Sequence, residues 1–299
     1  MKMENWFWIL GWFLSILTMT WNGVIIFLVL SRRHLRSKTN TFVVSLAVAD
    51  FFVGANVIPS MFFFERTGRN YSLYRGLVVI KWLFLDASVM NMCSLVLDRY
   101  LAVVKPFKYL TLMTSGRVIL LSSFSWGISV AFILVESFLL FSLNTTVALH
   151  TLHLLAFVLF YLFPCLMITF CFASMLRVIC KQNQVATFLG RQLRCNKRRG
   201  KSALIMMTIV VSLFLVFCGL NIRCIFAVIV NDKCDRGKYR DLILVLNSAV
   251  NPLAYAFFKE DLKREINKLF CKVTSRNGNN RAEPCNKKSS RSILASSTF

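Results

Sequence analysis

The chain has 299 residues, 57% of them hydrophobic and only 16% charged, with a mean hydropathy of +0.61. A water-soluble domain of this length keeps a charged coat over its core, and this composition cannot supply one. Only 12 Gly, 5 Pro and 10 scattered Cys exclude a collagen-like chain, a low-complexity disordered chain and a small disulfide scaffold. An integral membrane protein remains, and the net charge of +23 must be read by where it sits.

A helix crosses the hydrocarbon layer with about 20 apolar residues. Runs of that kind occur at about 6–30, 42–64, 77–101, 118–143, 151–176, 202–230 and 242–258. The seventh is short and contains Pro252, which a membrane helix tolerates when neighbours satisfy the freed backbone groups. The predicted fold is therefore all-α, with seven membrane-spanning helices in one domain over residues 1–272. Alternate connections carry 25 and 8 of the Lys and Arg residues, and three more lie inside the runs. The basic side is expected to be cytoplasmic, which places the N-terminus outside and the C-terminus inside. Two glycosylation sequons, at Asn70 and Asn144, fall in connections assigned to the outside. The first run is too long for a cleaved signal sequence and reads as a signal anchor. The positive charge is thus a property of one membrane face, with anionic lipid as its partner rather than nucleic acid.

After the seventh run, residues 259–270 are amphipathic, with Phe258, Leu262, Ile266, Leu269 and Phe270 on one face. This segment is predicted to lie in the inner interface as a short eighth helix. Cys271 at its end is a palmitoylation candidate, the alternative being an ordinary reduced thiol. The tail 273–299 is rich in Asn, Ser, Lys and Arg and is predicted to be disordered.

Polar groups inside a bilayer are costly and mark functional positions. Here they are Asn22 in the first run, Asp50 in the second, Asp98-Arg99-Tyr100 at the inner end of the third, and Asn251-Pro252-x-x-Tyr255 in the seventh. With Leu46-Ala47-Val48-Ala49 before Asp50, Trp126 in the fourth run and Pro164 in the fifth, they stand in a characteristic order. The chain resembles a rhodopsin-like (class A) G protein-coupled receptor over residues 6 to about 272.

The resemblance implies roles. Asp98, Arg99 and Tyr100 match the inner latch that releases its Arg towards a heterotrimeric G protein, and Asn251, Pro252 and Tyr255 match the switch in the seventh helix. Asp50, Ser88, Asn247, Ser248 and Asn251 match a buried sodium pocket, the single metal or cofactor expected. The alternative is a neutral hydrogen-bonded network around a protonated Asp50. Lys81, Ser88 and Arg99 are 7 and 11 residues apart, which puts them within about 20° on one helical stripe. Ser289, Ser290, Ser292, Ser296, Ser297 and Thr298 in the tail match the targets of receptor kinases, with arrestin as a further partner.

Several positions depart from that family. Tyr74 stands where a bridging Cys is usual, so no tethering disulfide is expected. Cys218-Gly219-Leu220-Asn221 replaces the usual Cys-Trp-x-Pro of the sixth helix, and Phe172 replaces a Tyr. These changes keep open a receptor-like chain with weak or no coupling. A transporter is the more distant alternative, since no pair of broken helices repeats between two halves. An enzyme is not expected, because no nucleophile or metal constellation is present.

Amine-binding members of the family carry Asp eighteen residues before the latch Arg, where this chain has Lys81, and opsins carry a Lys in the seventh helix, where this chain has none. Neither a classical amine nor retinal is therefore expected. Lys81 and Arg223 are cations at pocket depth, and Asp86 and Glu136 are anions at similar depth. Two readings stand: an anionic or zwitterionic small ligand held by the two cations, or internal pairing of the four charges, and the ligand as a class is an unidentified small molecule or peptide. Asp86 lies about 140° around the helix from Lys81, so those two are not placed to pair.

Overall fold

A computed structural model describes residues 5–67, 71–142, 151–152, 154–188, 214, 218, 240–258, 262 and 264–268. Within the unit Met1–Phe258 the described elements are helical: α1 (Asn5–Ser31), α2 (Lys38–Thr67), α3 (Tyr71–Val104), α4 (Pro106–Leu112), α5 (Ser115–Ser142), α6 (Phe163–Phe188) and α7 (Arg240–Phe258). A 3-10 turn, Arg33–Leu35, links α1 to α2, and a π-helical turn, Phe157–Leu162, precedes α6. Five segments are long and apolar enough to cross a membrane: Asn5–Ser31, Lys38–Glu65, Gly76–Val104, Ser115–Leu139 and Leu154–Lys181. They correspond to the first five runs of the sequence. The seventh run is α7, and of the sixth only Phe214 and Cys218 lie among the described residues.

The helices are longer than the apolar runs that announce them. α3 begins at Tyr71 rather than 77, and the fifth helix continues to Phe188 rather than 176. A helix satisfies its own backbone, so it does not have to stop where the apolar run ends. α4 arises in a stretch without an apolar run, started by Pro106 in its first turn, where a missing N–H costs nothing. Ser37 caps α2, its hydroxyl accepting from Asn40 N at 3.3 Å, and Thr114 does the same for α5 from Arg117 N at 3.4 Å.

α1 packs along α2, α2 along α3, and α3 against both α5 and α6, while α7 closes on α1 and α2. Gly54 permits the close approach of α1 to α2. A Cβ there would stand 3.1 Å from Ser15 O and 3.1 Å from Thr18 Cβ. The π turn sits immediately before Pro164, which has no N–H to give to the Phe160 carbonyl, and the wider turn absorbs that mismatch. It buries Phe160 and Tyr161, with the Phe160 ring edge-on to Phe132 at 5.2 Å.

The core is polar as well as apolar. Asn22, Asp50, Ser88, Asn91, Asp98, Ser129, Ser248 and Asn251 are all buried. Large apolar side chains such as Phe13, Phe27, Phe124, Phe138, Leu166 and Phe170 are exposed on the outside. This inversion suits a multi-pass membrane protein, whose outer surface meets hydrocarbon and whose polar groups must find partners inside.

Residues Lys259–Phe299 form a second unit. Among its described residues, Leu262 and Arg264 to Lys268 are helical, and Leu262 and Ile266 are buried while Arg264 and Lys268 are exposed. Lys268 Nζ pairs with Glu265 at 2.6 Å. Cys271 and the serine-rich tail lie outside the described residues, as do the sequons at Asn70 and Asn144.

Candidate functional site

Three polar centres are spaced along the inside of the helices. The middle one is built on Asp50, which is fully buried. Ser88 Oγ on α3 donates to Asp50 Oδ1 at 2.6 Å, and Asn251 Nδ2 on α7 donates to Asp50 Oδ2 at 2.8 Å. One carboxylate thereby joins α2, α3 and α7. Asn22 extends the junction to α1, its Nδ2 donating to Thr18 O at 2.9 Å and to Ser248 O at 3.3 Å. Thr18 Oγ1 reaches Leu14 O at 2.7 Å and Val245 O at 3.4 Å, so α1 contacts the α7 backbone at two successive turns. Asn247 Oδ1 is buried and accepts no hydrogen bond. Hydrogen bonds thus link Asp50, Ser88 and Asn251, with Ser248 joined through Asn22, and Asn247 is buried one turn before Asn251 on α7. Their oxygens, of which Asn247 Oδ1 and Ser248 Oγ have no hydrogen-bond partner, are the hard ligands a small cation takes.

A second network steadies α3 from the side. Trp126 Nε1 on α5 donates to Ser45 Oγ at 3.0 Å, and Ser45 donates to Asn91 Oδ1 at 2.7 Å. Asn91 Nδ2 returns to Ala87 O at 2.8 Å. Ser94 and Ser125 meet at 2.9 Å. Trp126 stands out in the sequence but these partners do not, because Ser and Asn inside apolar runs carry no spacing signal of their own.

The second centre lies at the end of α3 that leads into α4. The Asp98 side chain is completely buried. Arg99 Nη2 stands 3.0 Å from Asp98 Oδ2, with 30% of the Arg side chain exposed. Tyr109 on α4 donates its hydroxyl to Asp98 Oδ1 at 2.9 Å. Thr39 at the start of α2 completes the chain at 3.2 Å from the Tyr109 oxygen, donating to it since the Tyr proton is already given to Asp98. Burial, foremost, and the neighbouring Asp98 carboxylate push the Tyr109 phenol above its usual range, so it remains a donor at neutral pH. The Tyr100 ring lies 6.2 Å from that of Phe170 on α6. Tyr109 lies eleven residues beyond Asp98, in a stretch that reads as a connection, and the sequence alone does not single it out. Pro252 is buried within α7. Tyr255 is in the same helix, with its side chain outside the described residues.

The third centre lies towards the opposite end. Lys81 Nζ on α3 meets Asp241 Oδ1 at the start of α7 at 2.5 Å, with side-chain exposures of 8% and 15%. Trp82 stacks with two cations, Lys81 Nζ at 5.7 Å and Arg240 Cζ at 5.6 Å from its ring centre. Asp86 is buried one and a half turns further along α3 and is within electrostatic reach of Glu136 on α5. The structure therefore pairs Lys81 with Asp241, and it places Asp86 near Glu136. Arg223 lies outside the described residues. Asp241 is missing from the charges that the sequence puts at pocket depth because the apolar run starts at Leu242. A signal is nonetheless present, since Asp241 is seven residues before Ser248 and so within about 20° of the same face.

The sequence matches the profile of the 7 transmembrane receptor (rhodopsin family) over residues 21–255. Among curated relatives it is 28% identical to the histamine H2 receptor of Cavia porcellus, an alignment covering 86% of this chain and 77% of that protein. It is 36% identical to the D(3) dopamine receptor of Mus musculus over 42% of this chain and 29% of that protein. To the octopamine receptor Oamb of Drosophila melanogaster it is 35% identical over 39% of this chain and 19% of that protein. The residues that carry the resemblance, from Asn22 to Asn251, lie inside the matched region, and Asn22, Asp50, Asp98 and Asn251 among them are buried in the centres just described. The chain belongs to the rhodopsin family of seven-transmembrane receptors.

Proposed function

We propose that the chain is a plasma-membrane receptor that converts binding of an extracellular ligand into activation of a heterotrimeric G protein. In this reading it has seven spans and an interfacial eighth helix, with its N-terminus outside and its Asp98–Tyr100 end in the cytoplasm. The observation that carries the reading is the state of Arg99. Its carboxylate partner is buried and further held by Tyr109, while the guanidinium itself is 30% exposed. A buried carboxylate, bonded by Tyr109 at one oxygen and ion-paired with Arg99 at the other, holds a cation that remains reachable from solution, which is what a releasable latch requires. Phosphorylated tail serines would recruit arrestin, and Asn70, Asn144 and Cys271 would carry glycan and acyl groups.

Asp50, Ser88, Asn247, Ser248 and Asn251 fit a sodium ion, with the unused Asn247 oxygen as the observation in favour. The ion would neutralise the Asp50 carboxylate at the junction of α2, α3 and α7. Relatives are named for histamine, dopamine and octopamine, all cationic amines. Here Lys81 stands among the pocket residues Lys81, Asp86, Glu136 and Arg223, so a simple monoamine is not the expected ligand.

The test is agonist-free guanine nucleotide exchange by the receptor in nanodiscs, with purified heterotrimers of each main class. Asp98→Asn frees Arg99 and is expected to raise exchange several-fold, whereas Arg99→Ala is expected to abolish it. If both variants leave exchange at the wild-type level with every heterotrimer, the chain binds ligand without coupling. The changed Cys218–Asn221 stretch and Phe172 would favour that second reading.

A further inference from the structure

We propose that the groove between α1, α2 and α5 is a binding site for one anionic diacyl phospholipid of the inner leaflet. Its phosphate sits on Arg36, an ester carbonyl meets Ser122, and an acyl chain lies against Trp126. The choice of leaflet follows the orientation proposed above, whereas the binding itself is independent of coupling to a G protein.

The groove has a volume of about 690 Å³, within the range of sites that hold a small molecule. Val29 and Leu30 at the end of α1, Val44 on α2, and Ile119 and Trp126 on α5 form its apolar lining. Leu30 and Ile119 are exposed on the outside of the bundle, so the groove opens towards hydrocarbon. Trp126 Nε1 already donates to Ser45 Oγ at 3.0 Å, so the indole has no spare donor and serves the groove as apolar surface.

Two polar groups in this lining select the occupant. Arg36, just before α2, gives one guanidinium nitrogen to Leu30 O and is exposed, and the rest of its donor fork suits a phosphate. Ser122 is 8% exposed, and its Oγ has no hydrogen-bond partner. Ser125 and Ser129 on the same helix bond backbone carbonyls at 3.0 and 3.1 Å. An unused hydroxyl away from water is costly, and turning the Ser122 χ1 towards the groove supplies a donor without breaking any bond. Ser122 lies seven residues, about 10 Å, inside the start of α5, a depth that suits an ester carbonyl rather than a phosphate. A sterol brings no charge to Arg36, and a fatty acid brings no ester to Ser122. Phosphatidylcholine has both groups, but it places its choline cation beside a segment where Arg32, Arg33, Arg36 and Lys38 are all exposed. A net negative headgroup meets that segment favourably, and the cytoplasmic leaflet is rich in such lipids.

The experiment uses the full chain, delipidated in detergent, and counts retained lipids by native mass spectrometry. The probes are dioleoyl phosphatidylserine, dioleoyl phosphatidylcholine, oleic acid and cholesterol. One phosphatidylserine is expected to be retained saturably, at a concentration at least tenfold below that needed for any other probe. Arg36→Gln is expected to abolish the preference over phosphatidylcholine, and Ser122→Ala to weaken retention several-fold. Val44→Trp fills the groove and is expected to prevent retention, with Ile119→Trp, at a more exposed wall, as the second filling variant if the first does not fold. Arg33→Gln removes one charge from the same segment outside the groove lining and is expected to leave retention within twofold of wild type. Melting temperatures in phosphatidylcholine nanodiscs establish that each variant is folded. The proposal is overturned if no phosphatidylserine is retained, or if cholesterol or oleic acid is retained as tightly. It is equally overturned if Arg33→Gln weakens retention as much as Arg36→Gln, which would mean diffuse attraction to a basic face, or if a folded groove-filling variant retains the lipid. No G protein takes part, so lipid retention without nucleotide exchange would reject coupling alone, and exchange without retention would reject the lipid site alone.

Discussion

Breaking the Lys81–Asp241 pair from one side should cost far more than removing it whole. Lys81→Met leaves the Asp241 carboxylate, 15% exposed, without its 2.5 Å partner. Asp241→Asn leaves the Lys81 ammonium, 8% exposed, facing a neutral amide. Stripping one partner from a fully buried pair costs roughly 3–5 kcal/mol. Arg240 lies beside Asp241, and the Trp82 ring faces Lys81 at 5.7 Å, so each stranded charge keeps some compensation. About 2–3 kcal/mol for each single variant is the expected result. Asp241→Asn should cost the more, because Lys81 is the less exposed of the two. The double variant strands nothing and should lie within about 1 kcal/mol of wild type. At about 2–4 °C per kcal/mol, each single variant lowers the melting temperature by on the order of 5–10 °C and the double recovers most of it. The assay is a melting series of the four proteins in nanodiscs at one salt concentration. If the single effects simply add in the double variant, within about 0.5 kcal/mol, the two groups do not interact and the reasoning fails.

Four further outcomes follow from the geometry. Gly54→Leu should lower the melting temperature by the equivalent of about 1–3 kcal/mol, because a Cβ already stands 3.1 Å from Ser15 O; Gly127→Leu, with nothing within 4 Å, serves as the matched control and should be nearly silent. Tyr109→Phe removes the 2.9 Å bond to Asp98 and should raise basal nucleotide exchange, though less than Asp98→Asn, with surface expression measured alongside. Because the folded-state pKa of Tyr109 is raised, its contribution is fully present below the ordinary tyrosine pKa of about 10 and is lost only as pH rises through the folded value; a wild-type minus Tyr109→Phe stability difference that varied between pH 6 and 9 would contradict this. Replacing choline chloride by sodium chloride at constant ionic strength should raise the melting temperature of wild type and leave Asp50→Asn unmoved, and equal shifts in both proteins would remove the cation from Asp50.

Much of this protein is legible in its amino-acid sequence. Apolar runs locate the helices because hydrocarbon admits no unsatisfied backbone, and the order Asn22, Asp50, Asp98-Arg99-Tyr100, Trp126, Pro164, Asn251-Pro252 identifies the receptor family. The stripe of Lys81, Ser88 and Arg99 follows from helix periodicity, and the structure gives Lys81 and Ser88 partners on α7 and α2.

Helix ends and partners are another matter. Hydropathy marks where lipid contact ends rather than where backbone hydrogen bonding does, so α3 and the fifth helix run past their apolar segments, and α4 has no apolar run to announce it. For the same reason Asp241 and Tyr109 look like parts of connections, although each bonds the charged residue that defines its centre. Periodicity tells which face of a helix a side chain occupies. Which residue 160 positions away meets it depends on how helices are rotated and stacked against one another, and packing of the whole chain alone settles that.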